Sequence, residues 1–121
     1  YYGAKLSNTN KYGELIHSAL IIVLKTELNK SGDYKLKLDN TAIGEKVKNG
    51  LSKYATISSG DKGIYVTIMQ ILLLGHGHDP NGIDGTCGKG TIAAIKALQK
   101  TNGLIPDGIC GLKTWLKLLE L

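Results

Sequence analysis

The chain has 121 residues, of which 42% are apolar and 21% charged, enough for one ordinary domain or two very small ones and too apolar for disorder throughout. A domain of this size buries only about two-thirds of its unfolded surface, which disfavours a large catalytic architecture. The net charge of +5 comes from fifteen Lys against ten acids, with no Arg; without the guanidinium fork that reads guanine edges, attraction to polyanions is expected and sequence-specific DNA reading is not.

In chain order, residues 1–12 are polar, lack a sustained period and read as a linker. The chain opens Tyr1-Tyr2-Gly3 rather than with Met and shows no signal-peptide pattern, as expected of a piece of a longer polypeptide. From there Leu15, Ile16, Ala19, Leu20, Val23, Leu24 and Leu28 recur at three- and four-residue steps and predict a helix that Gly32 stops. Residues 45–54 predict a second helix, with Val47, Leu51 and Tyr54 inward and Gly50 weakening it. After a break at residues 58–63, a third helix carries Tyr65, Ile68, Met69, Leu72 and Leu73 and ends at Gly75. The fourth, residues 91–102, turns Ile92, Ile95 and Leu98 to one side; the fifth, residues 113–119, carries Trp115, Leu118 and Leu119. Only residues 34–38 and 64–66 look briefly extended, so the expected class is all-α, a small bundle of about five helices. The longest near-apolar runs, residues 19–24 and 71–74, are too short to cross a bilayer.

Internal repetition is the most informative feature. Asp84-Gly85-Thr86-Cys87-Gly88 with Thr91 recurs 23 residues later as Asp107-Gly108-Ile109-Cys110-Gly111 with Thr114. Both copies read D-G-x-C-G-x-x-T and lead into a helix. A fainter echo stands in the first half, where Leu24, Leu28 and Asp39 precede Met69, Leu73 and Asp84 by 45 residues, and Ile43-Gly44 stands for Cys87-Gly88. The unit is a helix-entry device. Its glycines permit a tight turn, its Asp satisfies amides within that turn, and its Thr, near the start of the helix that follows, can cap free amides or bond backward. None of these groups is chemically reactive, so Asp84, Gly85, Cys87, Gly88, Thr91, Gly108, Cys110, Gly111 and Thr114 are expected to be structural.

These residues resemble the peptidoglycan-binding domain type 1 family, found at the ends of bacterial and phage cell-wall hydrolases. Val66, Met69-Gln70 and Leu73 stand for its first helix, and Ala94-Ile95, Leu98-Gln99 and Gly103-Leu104 for its second helix and exit. The two turns, with Thr114-Trp115 and Leu118, complete the pattern, which runs nearly continuously over residues 60–121. Residues 13–59 resemble a degenerate second copy through Leu24, Glu27-Leu28-Asn29, Asp39-Asn40, Ile43-Gly44, Leu51 and Tyr54. The chain departs from the family in placing Cys where Phe and Val are usual. The resemblance implies two tandem three-helix units, over residues 13–59 and 60–121. It also implies a non-catalytic module without cofactor, acting at the bacterial wall or its extracellular face. Its partners would be peptidoglycan, through glycan or stem peptide, and a covalently attached amidase, muramidase or peptidase. The candidate ligand contacts are Tyr34, Tyr65, Gln99, Asn102, Asp107 and Trp115.

His76-x-His78-Asp79 has metal-ligand residue types, but a glycine-rich loop gives them no fixed frame, and no metal is expected. A calcium loop fails because Ile83 stands where a third oxygen ligand is needed. Cys87 and Cys110 sit ahead of helices, where a dipole favours thiolate, and His76 and His78 lie nearby in sequence; a small cysteine peptidase is therefore an alternative. Two equivalent turns carrying the same thiol fit packing better, and whether the two bridge stays open. A basic helical nucleic-acid-binding domain is the other alternative, opposed by the absence of Arg. Trp115 at helix spacing with Leu118 suits a core, while Tyr12, Tyr34 and Tyr65 suit exposed stacking. Residues 1–60 hold nine Lys and five acids, residues 61–121 six and five, so contact with anionic wall polymers is expected mainly of the first half.

Overall fold

The computed structural model describes residues 11–36 and 44–119, with side chains from residue 17 onward. The described residues form five α-helices: α1 Lys11–Lys30, α2 Glu45–Tyr54, α3 Ile64–Gly75, α4 Lys89–Thr101 and α5 Leu112–Leu118. No strand forms among them; the only β pairing is two isolated antiparallel bridges, Ile57 with Cys110 and Lys62 with Thr86. Residues 64–66, which looked extended, are instead the first turn of α3, where Val66 is buried in step with Met69 and Leu73 while Ile64 stays exposed. Residues 1–10 of the expected linker lie outside the described residues, while α1 starts inside it at Lys11.

The buried stripe of α1 is Leu20, Ile21, Leu24, Lys25 and Leu28. The expected stripe is thus rotated: Ala19 and Val23 face out, and Leu15 and Ile16 carry no described side chain. The helix ends where Gly32 takes φ +88°. Asn29 then folds the following loop back on α1, its amide donating to the Leu36 carbonyl at 3.0 Å and its oxygen accepting the Leu36 N–H at 2.6 Å. That clamp holds Tyr34 against the bundle.

Gly50 lets α2 approach α1 closely, since a Cβ there would stand 2.7 Å from Leu28 Cδ2. Val47 and Leu51 are buried as expected, but Tyr54 is not an inward plug; it is 37% exposed. Helix α1 packs on α2 and α3, α2 packs on α5, and α3, α4 and α5 pack on one another. The resulting core is one continuous cluster from Leu20 to Leu119. The expected boundary between residues 59 and 60 falls inside it: Trp115 of α5 donates its indole N–H to the Ala55 carbonyl at 2.7 Å, and Ile57 and Cys110 exchange backbone bonds of 3.1 and 2.8 Å. The first half holds two of the five helices among the described residues.

Two histidines close the C-terminal end of α5. His17 Nε2 bonds the Leu119 carbonyl at 2.6 Å and His76 Nε2 bonds the Leu118 carbonyl at 2.8 Å. Carbonyls left over at a helix end are satisfied in this way from α1 and from the residue that caps α3.

Candidate functional site

The two D-G-x-C-G turns are each organised by a buried glutamine. Gln70 Nε2 donates to Asp84 Oδ1, the Thr86 carbonyl and Thr91 Oγ1 at 3.0, 3.1 and 3.0 Å, while its Oε1 accepts the N–H groups of Asp84 and Gly85 at 3.1 and 2.9 Å. Gln99 repeats the pattern. Its Nε2 donates to Asp107 Oδ1, the Ile109 carbonyl and Thr114 Oγ1 at 3.0, 2.9 and 3.0 Å, and its Oε1 accepts the Gly108 N–H at 3.0 Å. Thr91 and Thr114 therefore serve the glutamines rather than cap a helix, and neither α4 nor α5 has a side-chain cap. The resemblance places Gln70 only in the first helix; its hold on the Asp84 turn comes from the structure.

Each Asp also accepts an N–H within its own turn, Asp84 from Thr86 at 3.0 Å and Asp107 from Ile109 at 2.9 Å. These bonds favour the charged form. The Asp84 carboxyl lies below its usual range chiefly through the Gln70 N–H, and Asp107 chiefly through the Ile109 N–H. The first glycine of each turn takes the left-handed region, Gly85 at φ +75° and Gly108 at φ +76°. The second does not. Gly88 and Gly111 sit at φ −95° and −93° as the N-caps of α4 and α5, and Gly44, N-cap of α2, is nearly superposable on them at φ −92°, ψ −175°. Asp39 and Ile43 of that first-half turn lie outside the described residues.

Both cysteines are buried free thiols. Burial raises the Cys110 pKa far above its ordinary value, with Cys87 adding to the rise; Cys87 is raised by burial and then by Asp61. The helix-entry position does not favour thiolate here, because desolvation outweighs it, and a nucleophilic role loses its physical basis. The His76, His78 and Asp79 side chains do not converge. His76 is occupied with Leu118, Asp79 accepts the Asn81 N–H at 2.8 Å, and among the described residues no three His, Cys, Asp or Glu gather as a metal-ligand group. His78 is lowered below its ordinary pKa by burial and then by His76.

The proposed ligand contacts separate into two groups. Trp115 is 0% exposed and Gln99 2% exposed, and both have their polar atoms committed inside the fold; the structure corrects them from ligand contacts to framework. Asp107 and Asn102 are exposed, Asn102 donating back to the Leu98 carbonyl at 2.8 Å. On the opposite half, Tyr34 meets Tyr54 edge to face with ring centres 6.4 Å apart at 89°. Tyr54 Oη donates to Asp33 Oδ2, and Lys53 Nζ donates to the same oxygen at 2.8 Å. These bonds, Lys53 first, hold the Asp33 carboxyl below its usual range and raise Lys53. Tyr65 is half-buried nearby, its phenol pushed up to about 12 by burial, then by Glu27 and Tyr54. The side chain of Tyr12 lies outside the described residues.

A small helical module with paired, glutamine-locked turns is thus in hand, and comparison with known proteins places it. Residues 62–118 match the family model described as "Putative peptidoglycan binding domain". These residues, a little under half of the chain, are similar to that family. The chain is also 33% identical to a protein of Bacillus licheniformis named "Probable N-acetylmuramoyl-L-alanine amidase", over 99% of this chain and 37% of that protein. The chain therefore spans little more than a third of that relative's length. No helix among the described residues is long and apolar enough to cross a membrane.

Proposed function

We propose that the chain is a non-catalytic wall-binding module that targets an attached peptidoglycan hydrolase to the bacterial cell wall. The match of residues 62–118 to a peptidoglycan-binding family carries this reading. The similarity to an amidase over only part of that protein's length supports a covalently attached catalytic domain, an amidase in the first instance. Residues 13–59 are read as a worn copy of the same unit, supported by the shared N-cap geometry of Gly44, Gly88 and Gly111. Tethering raises the local concentration of wall polymer at the catalytic domain without new contacts in the active site.

Contact with anionic wall polymers is a secondary part of the reading. Lys30, Lys48 and Lys53 stand 2.9, 3.9 and 2.8 Å from Glu27, Glu45 and Asp33, and Lys25 is buried. The first half therefore presents less positive charge to a partner than its lysine count suggests.

The test is sedimentation of the pure 121-residue chain with purified Gram-positive walls, while following release of reducing sugar and free amine. Co-sedimentation without release is expected. Wall hydrolysis by the pure chain would replace the module reading with that of an enzyme.

A further inference from the structure

The face where the ends of α1 and α2 meet carries a side-chain cluster that the paired turns do not use. Tyr54 is the last residue of α2, and Tyr34 sits in the loop that Asn29 clamps to α1. Tyr54 keeps 37% of its surface in water, yet its ring is fixed at three points. Its hydroxyl is held by Asp33, its edge contact by Tyr34, and Lys53 Nζ lies 5.2 Å from its centre. An exposed tyrosine that is already immobilised loses little further freedom when a ligand arrives, which is the property of a preorganised binding surface.

The polar groups around the rings are equally specific. Both bonds to Asp33 fall on Oδ2; among the described residues Oδ1 takes none and is an acceptor for a hydroxyl. Lys53 has further N–H donors beyond the one given to Asp33. The two charges offset each other at 2.8 Å, so the site is polar without a net charge. That combination suits an uncharged ring with an apolar C–H face, hydroxyl donors and an amide carbonyl acceptor. It suits a polyphosphate or a charged peptide less well.

We propose that Tyr34, Tyr54, Asp33 and Lys53 form a glycan subsite that takes an N-acetylhexosamine ring of the peptidoglycan strand, a step that rests on the wall-binding reading above. The rings supply the stacking surface, Asp33 Oδ1 accepts a ring hydroxyl, and Lys53 donates to the acetamido carbonyl. Tyr65, half-buried on α3, packs against the core and lies near enough to Tyr54 for its charge to act on the phenol.

The test uses the whole chain with three probes: intact peptidoglycan, glycan strands stripped of stem peptides, and a soluble chito-oligosaccharide. The wild type is expected to bind all three, and the oligosaccharide to shift the ring resonances of Tyr34 and Tyr54. Tyr34→Ala and Tyr54→Ala, checked for helix content and melting, are expected to weaken binding to stripped strands by at least about tenfold. Tyr54→Phe, which keeps the ring but releases Asp33, is expected to lose less. If the alanine variants unfold, the wild-type resonance shifts decide. Binding to intact peptidoglycan but not to stripped strands, shifts confined to other residues, or folded alanine variants that bind stripped strands undiminished would each overturn the subsite and leave wall binding standing. Failure of the wild type on intact peptidoglycan would overturn both.

Discussion

Trp115 and Ala55 join the two halves of the chain through one bond, the indole N–H of α5 on the carbonyl that follows α2, 2.7 Å apart and out of contact with water. A donor buried this deeply needs its acceptor, since an unmet N–H costs roughly 1–3 kcal/mol. From this bond, residues 62–118, which match the family model, are expected to lean on the segment that precedes them. A chain cut to residues 60–121 is expected to melt at a lower temperature than the whole chain and less cooperatively. Trp115→Ala in the whole chain is expected to cost about 3–5 kcal/mol. Equal melting of the cut and whole chains would show that the halves fold independently.

Part of this architecture is legible in the sequence and part is not, for physical reasons. The span of α2, residues 45–54, follows from the spacing of Val47 and Leu51 between breaks. The face of α1 does not follow from apolar spacing, because the buried stripe includes Lys25 and leaves Val23 outside. A charged residue inside is visible only when the surrounding fold is known. The twin turns are read from D-G-x-C-G, but the bonds that hold them come from glutamines eight and fourteen residues before the aspartates. Both glutamines belong to the family pattern, but their different spacings to the aspartates hide the role they share in the turns. Likewise, nothing local in Tyr34 and Tyr54, twenty residues apart, places their rings together.

The glutamines give the next expectation. Gln99→Leu preserves the approximate volume but leaves the Gly108 N–H and the Thr114 hydroxyl without their partner, all in a dry setting. Loss of about 2–3 kcal/mol in urea unfolding is expected. Gln70→Leu is expected to act similarly on the first turn. A change below about 0.5 kcal/mol at both positions would show that water replaces the amide without penalty.

Acid should loosen the turns. Asp84 and Asp107 are held below the ordinary carboxylate value in the fold and return to about 3.9 when the chain unfolds. As pH falls the unfolded state takes up these protons first. Their contribution is therefore complete above the unfolded value and is lost as pH drops through it toward the folded values. The urea midpoint is expected to fall between about pH 5 and pH 2, and the double variant Asp84→Asn, Asp107→Asn to show a shallower fall. An unchanged slope in the double variant would assign the acid sensitivity to other carboxylates.

Thiol chemistry checks the buried cysteines. With both pKa values raised and both side chains out of water, alkylation by iodoacetamide at mildly alkaline pH is expected to be at least about a hundredfold slower in the native chain than in denaturant. Cys110→Val, a volume-conserving apolar exchange, is expected to shift stability by less than about 1.5 kcal/mol. Rapid native labelling of either cysteine would restore the case for a nucleophile.

The two glycines of the second turn should respond unequally to a side chain. Gly108 has φ +76°, and a Cβ there would meet Ile92 Cγ2 and Lys96 Cε at 3.1 Å; a β-branched residue is opposed both by the backbone and by its neighbours. Gly108→Val is expected to cost on the order of 1–3 kcal/mol. Gly111 has φ −93°, with nothing within 4 Å of its Cβ position, so Gly111→Ala is expected to cost under about 1 kcal/mol, the loss of a favourable N-cap residue. Wall binding by Gly108→Val should survive at temperatures where the variant is folded and fail together with its helix signal. A Gly108→Val chain that melts like the wild type but no longer sediments with walls would make the turn a ligand contact, because only a group touching the polymer can lose binding while the fold stands.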